Sequence, residues 1–157
     1  MKKSQAGFSL IELLIVVAII LVIAAIAIPN FLAARMSANE SSAVQETRAI
    51  TTAELAYQTQ YGIGYTVNLA NLGGSGSTSS STNALLIDPA LGSGAKGGYL
   101  YVYVPLLQDA NGNYISYSLN ANPKVLGATG RRYFYSDQTA TIRYNYTAAA
   151  TAADPPL

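Results

Sequence analysis

The amino-acid sequence predicts an α+β protein, in which a long N-terminal α-helix packs its second half against a small antiparallel β-sheet. Residues 8–28 form an almost unbroken apolar run. Residues 30–61 are rich in helix-forming residues and contain neither glycine nor proline. After residue 98, short segments dense in tyrosine and β-branched residues alternate with turn sequences, which is typical of strands in an antiparallel sheet.

The apolar run has the length and composition of a membrane-spanning helix. Its 21 residues from Phe8 to Ile28 extend about 31 Å at 1.5 Å per residue, close to the thickness of a bilayer core. Leucine, isoleucine, valine and alanine cover every side, so no polar face remains for water. Because Lys2 and Lys3 precede the run, we expect the N-terminus to stay cytoplasmic and the C-terminal part to lie outside.

One acid, Glu12, interrupts the apolar run, and Pro29 ends it. A carboxylate at the centre of a bilayer costs about 2.5–3.5 kcal/mol, so Glu12 needs a partner. Together with the short basic head and the Gly7-Phe8 junction, these residues resemble the class III prepilin signal of the type IV pilin and pseudopilin family. Counted from Phe8, Glu12 is the fifth residue and Pro29 the twenty-second, in register with that family.

The resemblance implies three regions. Residues 1–7 are the leader peptide, residues 8–29 the transmembrane and assembly helix, and residues 30–157 a pilin-like head whose helix runs to about residue 61. The implied partners are further copies of the chain, a prepilin peptidase, and an assembly platform with its ATPase. The precursor is expected in the bacterial inner membrane and the mature chain in a cell-surface filament. No cofactor is implied.

The resemblance also assigns roles to four residues. Gly7 allows the peptidase to reach the scissile bond, and Phe8 becomes the N-methylated first residue. Glu12 is expected to pair with the N-terminal amine of a neighbouring subunit, because opposite charges attract strongly at low dielectric. Pro29 frees the carbonyl of Ala25 and is expected to kink the helix, giving a weak point for assembly.

Two alternatives share parts of this pattern. A type II secretion pseudopilin has the same N-terminus, and calcium dependence of its head would distinguish it. A secreted binding module with a conventional signal peptide would instead be cleaved near Ala27, after the small residues Ala25-Ile26-Ala27. Glu12 would break the apolar part of such a signal, and the helical pattern continues past the cut, so the prepilin interpretation is favoured.

The head is predicted to contain three or four strands. The second half of the helix carries a broken apolar stripe, in which Glu40 and Glu46 read as polar interruptions. We expect a low-complexity, flexible loop at residues 73–82 and a frayed tail after residue 146. Candidate strands are residues 99–105, 113–119, 132–136 and 140–146, with turns at Asn111-Gly112 and Asp137-Gln138-Thr139.

The composition argues against catalysis and against nucleic-acid binding. The chain has no histidine and no cysteine, so it lacks the commonest general base, a thiol site and any disulfide. From Asn30 onward seven lysines and arginines balance seven acids, which leaves no net basic footprint. We therefore predict a protein that is not an enzyme and that shows no sign of binding nucleic acid.

One segment of the head resembles the opening of a calcium loop. Asp109, Asn111 and Asn113 place oxygen ligands at alternate positions. However, Tyr114 stands where such a loop needs glycine, and Asn120 where it needs the closing glutamate. We favour a plain hairpin turn, with no metal.

Overall fold

The computed structural model of the protein describes residues 8–157. The predicted α+β fold is confirmed, with a long N-terminal helix and an antiparallel sheet. The chain divides into two compact units, the first ending at Arg35 and the second comprising Met36–Leu157. The elements are α1 (Leu10–Tyr61), α2 (Leu69–Gly73), α3 (Pro89–Gly92), β1 (Ala95–Lys96), β2 (Tyr99–Pro105), β3 (Tyr117–Pro123), β4 (Tyr133–Asp137) and β5 (Arg143–Asn145).

Helix α1 ends at the residue that the sequence predicts. Gly62 follows Tyr61 with a φ of 68°, in the left-handed region that glycine adopts without strain. Its N–H donates to the carbonyl of Gln58 at 3.0 Å, which satisfies one of the free carbonyls of the last turn. A glycine directly after the last periodic residue is therefore sufficient to predict this boundary.

The five strands form an antiparallel meander in the order β1-β2-β3-β4-β5. One face of the sheet lies against the second-unit part of α1, and the two layers share one hydrophobic core. Side chains alternate along β2, so that its tyrosines point into the core and its aliphatic residues point outward. The largest side chains that are completely buried include Ile50 of α1, Tyr99, Leu119 and Phe134.

The second of the four predicted strands, at residues 113–119, corresponds to β3 and was placed four residues too early. The observed β3 spans Tyr117–Pro123, and its residues alternate between buried and half-buried along the whole length. Asn120 and Ala121 are poor strand formers, which is why the sequence pattern ends at Leu119. Pairing with the tyrosine-rich β2 overrides that weak local preference, since Ala121 lies opposite Tyr101.

The Asn111-Gly112 turn forms as predicted, but at the tip of a longer arm between β2 and β3. The N–H of Asp109 donates to the carbonyl of Asn113 at 2.9 Å, and further backbone pairs lead back to β2 and β3. Strand β4, at Tyr133–Asp137, begins one residue after the predicted start at residue 132. Strand β5, at Arg143–Asn145, lies inside the predicted range 140–146.

The loop at residues 73–82 is organised by one side chain, although its composition predicts flexibility. Asn83 accepts a hydrogen bond from the N–H of Ser75 at 2.7 Å. Its amide nitrogen donates to the carbonyls of Ser75 and Thr78 at 3.1 and 2.9 Å. The prediction missed this because Asn83 lies just outside the low-complexity segment.

The C-terminal tail folds back along β5, so the predicted fraying is wrong. Tyr144 donates its N–H to the carbonyl of Pro155 at 3.1 Å, and Leu157 donates to Ile142 at 2.9 Å. Asp154 fixes the turn of the tail: its carboxylate accepts hydrogen bonds from the side chain of Asn145 at 2.8 Å and from Thr151. A hydrogen-bonded acid thus holds a region that lacks a disulfide.

Replacing Asp154 by alanine should release the tail without unfolding the sheet. The backbone and side-chain hydrogen bonds from Thr151 lower the pKa of Asp154 below its ordinary value of 3.8. The tail should therefore remain attached above that pH and detach as the pH falls through the lowered pKa, because protonation removes the acceptor. Hydrogen exchange of residues 147–157 measures this attachment. Asp109→Ala, in a different turn, is the matched control and should leave tail exchange unchanged.

Candidate assembly site

Within the first unit, the described residues from Leu10 onward form the start of α1, which exposes apolar side chains on all sides. Leu10, Ile15, Ile23 and Ile28 are each exposed over half or more of their surface. Among the helices of residues 8–157, α1 alone is long and apolar enough to cross a membrane. Because exposed apolar surface of this extent is unfavourable in water, this part of α1 needs lipid or other protein around it.

Glu12 caps the helix that it belongs to. Its Oε2 atom accepts a hydrogen bond from the N–H of Ser9 at 2.9 Å. The sequence Ser9-Leu10-Ile11-Glu12 has the S-x-x-E pattern of a capping box, in which the acid satisfies a free N–H at the helix start. No cation among residues 8–157 lies within ion-pairing distance of Glu12. The carboxylate therefore has a local hydrogen bond and no cationic partner within the described chain.

Phe8 precedes this cap and is 87% exposed. The other half of the predicted cleavage site, Gly7, lies outside the described residues, as does the rest of the predicted leader at residues 1–7. Cleavage after Gly7 and methylation of Phe8 thus remain predictions from the sequence. The exposed position of Phe8 is consistent with both.

Helix α1 continues through Pro29. The next residue, Asn30, donates its side-chain amide to the carbonyl of Ile26 at 3.0 Å, so a side chain adds a hydrogen bond in the turn that contains the proline. The predicted kink and its use in assembly remain predictions.

Three acids of α1 in the second unit are buried, so the polar interruptions of the stripe at Glu40 and Glu46 lie within the buried face of the helix. Glu40, Glu46 and Glu54 all lie on the side that faces the head. Glu40 and Glu54 are two heptads apart, in phase with the buried Thr47. Glu40 also stands four residues from Met36 and from Val44, and this spacing is the signal that places it on the face of the apolar stripe.

Glu40 joins the start of the head helix to the segment before β4. Its Oε1 accepts the N–H of Arg131 at 2.7 Å, and its Oε2 accepts from Nε of Arg132 at 2.8 Å. The Arg132 guanidinium also lies over the ring of Phe134, 5.3 Å from its centroid. One carboxylate thereby fixes both backbone and side chain of a segment that is 91 residues away along the chain.

Glu46 and Glu54 make the other two links. Glu46 accepts hydrogen bonds from the hydroxyls of Tyr101 and Ser42, and Lys96 Nζ lies 3.8 Å from its Oε1. Glu54 is completely buried and accepts from the N–H of Thr66 at 3.0 Å and from the Thr66 hydroxyl. Glu46 therefore links α1 to the sheet at Tyr101, and Glu54 links α1 to the segment that follows it at Thr66.

Burial raises the pKa of Glu54 above its ordinary value of 4.5, against the hydrogen bonds from Thr66, which lower it. The folded state then binds a proton more readily than the unfolded chain. The free energy of unfolding should therefore fall as the pH rises from about 4.5 through the raised pKa of the folded state.

Glu54→Gln should flatten this pH dependence, because glutamine keeps the acceptor for the Thr66 N–H and does not ionise. Denaturation of the detergent-solubilised chain, followed by tyrosine near-UV circular dichroism, measures the slope. Glu54→Asp is the titratable control. An unchanged slope in Glu54→Gln would contradict the assignment.

The predicted turn at Asp109 uses its carboxylate within the turn itself. Asp109 accepts from the N–H of Asn111 at 2.8 Å and of Asn113 at 2.9 Å, and these hydrogen bonds lower its pKa. Within residues 8–157 no group of three histidine, cysteine, aspartate or glutamate side chains is placed to hold a metal ion. The carboxylate of Asp109, the one acid of the weak calcium candidate, thus accepts hydrogen bonds from its own turn.

Comparison with known proteins identifies the class of the N-terminal segment. Residues 2–28 match the family described as the prokaryotic N-terminal methylation motif. This segment is of the kind found in type IV pilins, as the resemblance of Gly7, Phe8, Glu12 and Pro29 predicted.

Two curated relatives are similar to the chain. It is 59% identical over 39 residues to the type IV wide pilus major component PilA4 of Thermus thermophilus, covering 25% of this chain and 30% of the relative. It is 49% identical over 51 residues to the type IV major pilin protein PilA of Myxococcus xanthus, covering 32% of this chain and 23% of the relative. The matches thus span less than a third of either relative's length. No solved structure matches the chain.

Proposed function

We propose that this chain is the structural subunit of a type IV pilus-like extracellular filament, made as a membrane-anchored precursor that is cleaved after Gly7. The observation that carries the proposal is the first unit, an apolar helix exposed on every side with one acid at its start, in a segment that matches a methylation motif. Both curated relatives are named as pilus components, which favours a pilus subunit over a secretion pseudopilin.

Assembly follows from the chemistry of this segment. Before assembly, lipid covers the apolar side chains of residues 8–28. In a filament the helices of neighbouring subunits cover one another, and the burial of apolar surface supplies most of the cohesion. Cleavage creates an α-amine at Phe8, and pairing of that amine with Glu12 of another subunit compensates both charges in a medium of low dielectric. The pair also sets the axial register between the subunits.

The remaining partners belong to this proposal as well. A membrane peptidase cuts the leader and methylates Phe8, and a platform protein with an ATPase drives assembly. The precursor crosses the inner membrane once, with Lys2 and Lys3 on the cytoplasmic side and the head outside. The mature subunits then form a filament at the cell surface.

The mature N-terminus tests the proposal directly. Mass spectrometry of protein sheared from the cell surface should show a chain that begins at Phe8 and carries the extra mass of one methyl group. The reason is that a prepilin peptidase cuts before the apolar helix and leaves it attached. A chain that begins at Ile28 would instead show that a signal peptidase removed the apolar helix, and no filament core would remain.

A further inference from the structure

The outer face of β2 carries an uncovered row of aliphatic side chains. Leu100, Val102 and Val104 are 43%, 47% and 43% exposed, and we call these three residues the aliphatic stripe. They point away from the core because the alternating tyrosines of β2 point into it. Aliphatic residues on all three outward positions of one strand are not needed for the fold, since the inner face already supplies the core.

The C-terminal tail covers the neighbouring part of the same outer face and leaves the stripe bare. Asn120 of β3 donates its side-chain amide to the carbonyl of Ala150 at 2.7 Å. Arg143 of β5 donates to the carbonyl of Asp154 at 2.7 Å. Because Asn120 lies opposite Val102 in the sheet, the covered region borders directly on the stripe. The outer face is thus divided into a part that this chain covers and a part that it does not.

A second, largely apolar surface lies along α1 where the helix borders Leu86, within the same unit. It is a shallow groove of ≈ 460 Å³, which we call the helix groove. The side chains that form it are mostly small and uncharged, and Arg48 is the one charged member. The lining residues are Gln45, Arg48, Ala49, Thr52, Ala53, Ala56 and Leu86.

The two surfaces lie on different elements, the stripe on the outer face of β2 and the helix groove on α1 beside Leu86. A contact between two unlike surfaces repeats from copy to copy, and it produces an open filament where the rotation between copies does not close into a ring. A contact of the stripe with itself would close a dimer. We propose that the aliphatic stripe of one head packs into the helix groove of the next copy, and this inference rests on the proposed filament.

The size of the stripe explains why this contact needs a filament. Three half-exposed aliphatic side chains offer a few hundred Å² at most. A stable interface between free proteins buries about 800 Å² on each partner. The heads therefore do not associate by this contact alone. It adds cohesion once the apolar helices hold neighbouring subunits together at high effective concentration.

Cysteine cross-linking in assembled filaments tests the contact, and the chain has no native cysteine to interfere. Filaments of the double variant Val102→Cys with Thr52→Cys, sheared and oxidised, should give a ladder of disulfide-linked multimers. Each subunit would be linked to one neighbour through position 102 and to the other neighbour through position 52. The matched control pairs Val102→Cys with Ser79→Cys in the exposed loop, and this variant should give no ladder.

Each other result has a defined meaning. Dimers from Val102→Cys alone would show stripe-to-stripe contact and overturn the proposal. Filaments of the double variant that give no ladder would overturn it too, while leaving the proposed filament function intact. If the double variant does not assemble, the two single variants, Val102→Cys and Thr52→Cys, are coexpressed together with excess wild-type chain, which gives mixed filaments. Disulfide-linked pairs of unlike variants then support the contact, and their absence contradicts it. If wild-type cells carried no surface filaments of this chain, the proposed function itself would be wrong.

Discussion

Filaments should be lost when Glu12 is replaced by alanine, while cleavage after Gly7 and insertion into the membrane continue. The substitution removes the one acidic side chain of the apolar helix, so insertion becomes easier by the cost of burying a carboxylate. Assembly becomes harder, because the amine of a neighbouring Phe8 then lies in an apolar surrounding without a counter-charge. Losing about 3 kcal/mol per contact, the order expected for a broken buried pair, weakens subunit association roughly a hundredfold.

The hydrogen bond from Ser9 to Glu12 gives this experiment a control. Glu12→Gln can still accept the N–H of Ser9 and cap the helix, but it carries no charge. Filament yield should therefore fall in Glu12→Gln as it does in Glu12→Ala, measured by shearing and immunoblot against the total processed chain. Recovery of filaments in Glu12→Gln would show that the cap matters and the charge does not. Normal yield in Glu12→Ala would remove the pairing argument altogether.

The long helix could be predicted from the sequence because its signals are local. Composition identifies the apolar run, and Gly62 marks the C-terminal end. The candidate assembly residues come from the family resemblance, in which Glu12 and Pro29 stand at fixed distances from Phe8, and their roles stay predictions. The helix cap at Glu12 was missed although its S-x-x-E pattern is visible in the sequence.

The contacts of the head could not be predicted in the same way, because they join distant parts of the chain. Glu40 meets Arg131 across 91 residues, and no local pattern near either residue indicates the other. The position of β3 depends on its pairing with β2, which overrides the poor strand preference of Asn120. Asp154 holds the tail to β5 through Asn145, nine residues away, and this contact depends on the tail folding back along the strand.

Replacing Glu40 by alanine should destabilise the head by about 3 kcal/mol, at the lower end of the ~3–5 kcal/mol range for breaking a buried ion pair. The lower end is expected because the side chain of Arg132 keeps 27% of its surface in water. The loss has two parts: the N–H of Arg131 loses its acceptor, and the guanidinium of Arg132 loses its counter-charge. Unfolding in urea, followed by tyrosine near-UV circular dichroism, measures the change.

A double-mutant cycle separates these two parts. Arg132→Ala in the Glu40→Ala background removes the unpaired cation, so the second substitution should cost less there than in the wild type. Glu40→Gln keeps an acceptor for the N–H of Arg131 and should fall between the wild type and Glu40→Ala. Gln45→Ala, at an exposed position of the same helix, should change stability by no more than about 0.5 kcal/mol. Equal costs for Glu40→Ala and Gln45→Ala would mean that the carboxylate does not link α1 to the segment before β4, and the head would then depend on its apolar core alone.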